Sequence, residues 1–127
     1  MTMRVIVAGA TGWTGSAVAR AVLASEDLVL AGAVARSVAG RDLGEALGGS
    51  AVGVTVVATV EEALRAGADV LADYTAPQAV KANALAAISS GVAVVIGTSG
   101  LSAEDYAEID AAARTKSVGA FAAGNYS

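Results

Sequence analysis

A doubly wound α/β domain built on a parallel sheet is the fold class this sequence predicts, and three observations carry that reading. Short apolar runs rich in Val and Ala recur along the 127 residues, each of a length suited to a strand buried on both faces. Helix-spaced segments separate these runs, so that strand and helix alternate from end to end. Glycine marks the turns between them, beginning with Gly9-Ala10-Thr11-Gly12-Trp13-Thr14-Gly15.

Taken in order, residues 4–8 (Arg-Val-Ile-Val-Ala) are apolar and β-branched and stop at Gly9, which predicts the first strand. Val18, Ala19, Val22 and Leu23 then recur at helical spacing, predicting a helix from about residue 15 to residue 24. Residues 28–34 read as the second strand. The following stretch, residues 40–49, is too rich in glycine for a long helix and predicts a loop with one helical turn. Residues 54–57 predict a third strand, and Thr59 with Glu62 forms a capping-box pattern that opens a short helix stopped by Gly67.

A fourth strand at residues 70–72 leads into Asp73-Tyr74-Thr75-Ala76-Pro77, where Pro77 suits the first turn of a helix that runs to residue 90 and stops at Gly91. Residues 92–96 predict the fifth strand. Ser102 and Asp105 supply a second acidic cap for a helix to about Lys116, and residues 118–122 the sixth strand.

Composition narrows the function. The length fits one domain, 1–127, and hydrophobic residues at 55% against 16% charged argue for a packed core rather than disorder. Cys and His are both absent, which removes thiolate chemistry and the commonest acid-base group and metal ligand; no metal site is expected. A net charge of −4 without any basic cluster argues against a nucleic-acid partner. No apolar stretch approaches a bilayer span and no signal-peptide layout is present, so no membrane partner and a cytoplasmic location are expected. A small-molecule ligand is the better reading.

In a doubly wound sheet, ligands bind where the strands end, near the switch in strand order. The first turn is a G-x-x-G-x-x-G pattern placed after a strand and before a helix. Glycines there let the chain turn sharply and let a pyrophosphate reach the free N–H groups of the helix start. Gly9, Thr11, Gly12, Trp13, Thr14 and Gly15 are therefore candidate cofactor-binding residues of a Rossmann-type site. Trp13 is expected to pack against the loop, with a place beside the cofactor as the alternative.

At the end of the second strand, where NAD-reading folds place an acid, the chain has Arg36 and Ser37. A guanidinium and a hydroxyl suit a 2′-phosphate, so NADP (as NADPH) is expected in preference to NAD. Tyr74 and Thr75, Gly97, Thr98 and Ser99, and Gly124, Asn125 and Tyr126 occupy the turns after later strands and complete the candidate set.

Together, Gly9 to Gly15, the loop of residues 40–48, Asp73-Tyr74-Thr75-x-Pro77, Val95-Ile96-Gly97-Thr98-Ser99-Gly100 and Asn125-Tyr126-Ser127 resemble dihydrodipicolinate reductase over essentially the whole chain. The resemblance implies hydride transfer from NAD(P)H to a cyclic dihydropicolinate-type substrate on the diaminopimelate route to lysine. It implies that the first turn holds the pyrophosphate, that Arg36 meets the adenosine ribose, and that the Gly97-Thr98-Ser99 and Gly124-Asn125-Tyr126 turns line the nicotinamide. The family usually has Arg-Met in place of Trp13-Thr14, a basic residue near Ala76 and Phe in place of Tyr126. It also implies a second domain, absent here, that carries the catalytic His pair and Lys and forms a homo-oligomer. No catalytic residue is therefore expected within this chain, which by itself should not turn over.

N-acetyl-glutamyl-phosphate reductase has a similar opening turn, but the Gly97-Thr98-Ser99 and Asn125-Tyr126-Ser127 turns argue against it. Extended short-chain dehydrogenases share the turn too, yet no Tyr here has Lys four places on. A nucleotide-sensing or CoA-binding module would use the same turn without chemistry.

Overall fold

The computed structural model describes residues 2–122, and these form one sheet of six parallel strands in the order β3-β2-β1-β4-β5-β6. In chain order the elements are β1 (Met3–Ala8), α1 (Trp13–Ala24), β2 (Leu28–Val34), the single turn α2 (Leu43–Ala46), β3 (Val56–Val57), α3 (Val60–Arg65), β4 (Val70–Asp73), α4 (Pro77–Ser89), β5 (Ala93–Ile96), α5 (Ala103–Lys116) and β6 (Ala120–Ala122). This is the strand order of the Rossmann arrangement, with the switch between β1 and β4.

Each face of the sheet buries its own core. Ile6, Ala8, Leu71, Val94 and Ile96 pack under α3, α4 and α5 with Val60, Val80, Ala84 and Ile109. Val5, Val7, Leu30, Ala33 and Ala72 pack on the other face with Ala19 and Val22 of α1 and with Leu43. The strand alternation sends Val5 and Val7 one way and Ile6 and Ala8 the other. Along β2 the alternation slips: Val5 pairs with Leu30 but Ile6 with Gly32, so Ala31 is the extra residue of a bulge. That slip puts Leu30 and Ala33 on one face.

Small residues let the helices sit close. Ala84 and Ala87 of α4 and Ala113 of α5 are buried, and Lys81 joins the two helices outside through Glu108 at 2.5 Å and Asp105 at 3.5 Å. The predicted caps form: the Ser102 hydroxyl accepts from the Asp105 N–H at 3.1 Å while the Asp105 carboxylate accepts from the Ser102 N–H at 3.2 Å. At α3 the Thr59 hydroxyl accepts from the Glu62 N–H at 3.2 Å, but the Glu62 carboxylate meets the hydroxyl, at 3.3 Å, rather than the backbone.

Three boundaries depart from expectation by two residues. The first helix starts at Trp13, ahead of residue 15, because Gly15 serves inside it. The third strand keeps only Val56 and Val57, since Val54 and Thr55 turn instead toward the loop, through an antiparallel bridge of Thr55 to Asp42 and a bond from the Leu43 N–H to the Val54 carbonyl at 2.8 Å. The sixth begins at Ala120, because the Val118 N–H goes to the Ala113 carbonyl at the end of α5.

Asp42 organises the glycine-rich loop. Its carboxylate accepts from the N–H groups of Glu45 at 3.2 Å and Gly53 at 2.8 Å, and from that of Val52 at 3.0 Å, so that it caps α2 and fastens the far side of the loop at once. Desolvation works to raise its pKa, but these donors outweigh it and hold the carboxyl below the ordinary 3.8. A carboxyl lowered on folding stabilises fully above its unfolded value and loses that contribution as the pH falls through the folded one. Protection of the Val52 and Gly53 amides against exchange, relative to the free-peptide rate at the same pH, should therefore persist at neutral pH and fall away below 3.8 in the parent chain. In Asp42→Ala that protection should be lost at every pH, as NMR exchange would show.

Candidate functional site

The chain leaves β1 at Gly9 and β4 at Tyr74, and the two exits lie against each other. The Tyr74 N–H donates to the Ala8 carbonyl at 2.9 Å. Gly9 has φ +77, a conformation side chains resist, and a Cβ there would stand 2.7 Å from the Tyr74 carbonyl oxygen. A Cβ on Gly15 would overlap the Gly9 carbonyl, so α1 comes back onto the end of β1 at backbone distance. Gly12 is different. Its φ of −73 suits any residue, and a Cβ would meet only the Gly9 carbonyl oxygen, at 3.4 Å. Packing requires the first and last glycines of the motif and leaves the middle one free.

The start of α1 is bare. Gly12 stands at the N-cap with no side chain to offer, the first turn holds no acid, and the N–H groups of Trp13, Thr14 and Gly15 find no partner among the described residues. By contrast α3 and α5 each carry a capping hydroxyl and two acids in their first turn. An uncapped start leaves three donors and the positive end of the helix dipole without a partner among the described residues.

Beside this turn opens a cleft of about 800 Å³. Gly9 and Thr11 line it from the first turn, and Arg36 and Ser37 from the single 3₁₀ turn that follows β2. Both are exposed, and Arg36 makes no ion pair among the described residues. Thr59 and Glu61 enter from α3, and Thr75, Gln78 and Asn83 from the end of β4 and from α4.

A buried carboxylate fixes the far wall. Asp73, fully buried, accepts from the Thr75 N–H at 2.9 Å, the Thr75 hydroxyl at 2.6 Å and the Asn83 amide at 3.1 Å. The donors leave it no unpartnered side-chain oxygen, the condition for keeping such a group inside. The Thr98 hydroxyl in turn donates to the Thr75 carbonyl at 2.6 Å, tying the turn after β5 to the turn after β4. Gly97 lies under the half-buried Tyr74 ring, where a Cβ would overlap it.

Of the candidate residues, Gly9, Thr11, Arg36, Ser37 and Thr75 share the cleft. Gly12, Thr14 and Gly15 stand next to it at the start of α1, while Tyr74, Gly97, Thr98 and Ser99 lie in the adjoining turns and do not line it. Gly124, Asn125 and Tyr126 fall outside the described residues. The packing role expected for Trp13 is overturned: its side chain is 95% exposed, because the first helical position points it off the tip of α1. Asp73, Thr59, Glu61, Gln78 and Asn83 were not among the candidates. The rule that the turn after every strand faces the crevice would have reached Thr59 and Glu61; only the fold brings Asn83 to the wall.

No helix among the described residues is long and apolar enough to cross a membrane. Over residues 3–126 the sequence matches the family described as dihydrodipicolinate reductase, N-terminus. A 4-hydroxy-tetrahydrodipicolinate reductase of Desulfitobacterium hafniense is 42% identical over 127 residues, covering 98% of this chain and 47% of the relative. In three dimensions the chain is similar to a dipicolinate-bound dihydrodipicolinate reductase from Paenisporosarcina sp. TG-14, with a TM-score of 0.82 and 24% identity over 96% of this chain and 47% of the other. It is also similar to GenD2 from gentamicin A biosynthesis in complex with NAD, with a TM-score of 0.77 and 23% identity over 95% of this chain and 34% of that one. These two likenesses speak for the fold. The chain spans about half the length of the curated relatives it matches.

The glycines can be separated by stability alone. Gly15→Ala drives a side chain into the Gly9 carbonyl and should cost about 1–3 kcal/mol of unfolding free energy. Gly12→Ala should cost no more than about 1 kcal/mol, the cap preference it gives up. Urea denaturation of both variants checks the order.

Proposed function

This chain belongs to the dihydrodipicolinate reductase N-terminal family, and from that premise we propose that it is the NAD(P)H-binding domain of a 4-hydroxy-tetrahydrodipicolinate reductase serving lysine biosynthesis. The observation that carries the proposal is the bare start of α1 beside the cleft. Three N–H groups without a partner among the described residues, no acid in the first turn and a glycine that packing does not require are what a pyrophosphate needs. The cleft volume of about 800 Å³ falls within the range of small-molecule sites.

In this reading the dinucleotide, when bound, supplies a hydride for a cyclic dihydropicolinate-type substrate. The chain's own part is to bind and orient. The Gly9–Gly15 turn holds the pyrophosphate, Thr11, Trp13 and Thr14 flank it, and Arg36 with Ser37 receives the adenosine ribose and its 2′-phosphate, so NADPH is preferred over NADH. Tyr74, Thr75, Gly97, Thr98 and Ser99, with Gly124, Asn125 and Tyr126, border the nicotinamide. Asp73 keeps the Thr75 and Thr98 turns together and so sets the distance between cleft and nicotinamide wall. The substrate pocket, the proton donor and the contacts of a cytoplasmic homo-oligomer belong to the part of the relatives' length that this chain does not span. The purified chain should then bind dinucleotide and show no turnover.

Calorimetric titration tests the site. Gly12→Val should abolish dinucleotide binding while the circular dichroism spectrum is kept; unchanged affinity in the folded variant would move the site elsewhere. A charge-assisted contact is worth about 1.5–3 kcal/mol, so Arg36→Ala should weaken NADPH roughly ten- to a hundredfold and leave NADH nearly unchanged. Equal losses for both cofactors would show that Arg36 does not read the 2′-phosphate.

A further inference from the structure

Sheets of this class that read NAD carry an acid at the end of the second strand, where it accepts hydrogen bonds from the adenosine ribose. Here that position holds Ala35, Arg36 and Ser37. The neighbouring turn supplies an acid instead. Val34 pairs with Val57, and the Ala35 N–H donates to the Val57 carbonyl at 3.0 Å, so the chain leaves β2 and β3 side by side, about 4.8 Å apart, the spacing of adjacent strands. Of the two acids that open α3, Glu62 is held back at the cap by the Thr59 hydroxyl, 3.3 Å away, and does not line the cleft. Glu61 does, together with Arg36 and Ser37, and it also borders a second, smaller cleft beside Leu64 and Arg65.

Glu61 and Arg36 are the formally charged residues among those that line the cleft, and they make no ion pair with each other. Neither charge is cancelled by the other in a direct contact.

We propose that Glu61 is a specificity-determining residue: its carboxylate accepts hydrogen bonds from the ribose hydroxyls of the unphosphorylated cofactor and repels a 2′-phosphate, so that Arg36 and Glu61 pull the cofactor preference in opposite directions. The proposal rests on the dinucleotide reading given above. A carboxylate serves the ribose diol because it accepts from both hydroxyls at once; the 2′-phosphate removes one donor and brings like charge in its place. A purely local role for Glu61, as an acid in the first turn of α3, would affect helix stability and touch both cofactors alike.

The test is the dissociation constant of NADH and of NADPH for the parent chain, Glu61→Gln, Arg36→Ala and the double variant, with the urea midpoint of each as a control for folding. Glu61→Gln should weaken NADH by about tenfold, the loss of a hydrogen bond to a charged acceptor. It should strengthen NADPH by roughly two- to fivefold, as expected for relief of one solvent-screened charge pair. In the double variant the two affinities should converge. Equal changes for both cofactors, or none, would overturn the role given to Glu61 while leaving the dinucleotide site standing. Failure of the parent chain to bind either cofactor would overturn the dinucleotide reading, and this proposal with it.

Discussion

At Gly9, three stretches of backbone meet with no side chain between them, and the rest of the molecule is arranged around that contact. Gly9 lies against the Tyr74 carbonyl, and Gly15 lies against Gly9. Backbone-to-backbone packing of this kind draws α1 tightly over the end of β1, and that closeness is what sets the first turn of the helix at the crevice with its N–H groups bare. Any side chain at Gly9 or Gly15 would lever the helix away from the sheet, and the donors with it. The fold and the candidate anion site are in this respect one construction, since the glycines that close the packing also expose the polar helix end.

The opposite wall depends on a different device. Burying the Asp73 carboxylate is costly unless its oxygens are fully engaged, and here Thr75 and Asn83 engage them. Because Thr75 also receives the Thr98 hydroxyl, one carboxylate indirectly positions two turns from neighbouring strands. Truncating it would leave the Thr75 and Asn83 donors without their acceptor inside the protein, where unmade hydrogen bonds are most expensive.

Much of this was legible before any coordinates. The glycine turn was read from its place between an apolar run and a helical one, and both hydroxyl caps from their acids at the third helical position. What escaped did so for physical reasons. Residues 54–55 read as strand because their β propensity is genuine, but the loop organised by Asp42 claims their backbone hydrogen bonds. The apolar spacing starts the first helix at about residue 15, whereas it begins at Trp13 and tertiary packing requires glycine within it. Trp13 was expected to pack because aromatic rings usually do, and no local pattern announces a ring left on a helix tip. Asn83 is ten residues from Asp73, on a helix face that only the α4 packing turns toward the cleft.

Glu61 marks the boundary between these two kinds of knowledge. Its residue type was visible, and so was its place in the first turn of a helix, yet nothing in the sequence says that the turn after the third strand lies beside the turn after the second. That adjacency follows from the strand order, β3 next to β2, and from the Val34–Val57 register. The backbone of the first turn is committed to packing at Gly9 and Gly15 and cannot change without cost to the fold. The side chains of Arg36, Ser37 and Glu61 are exposed. Under the proposed reading, affinity for the shared part of the two cofactors and discrimination between them would fall to different elements, so that charge at positions 36 and 61 could vary while the glycine turn stays fixed.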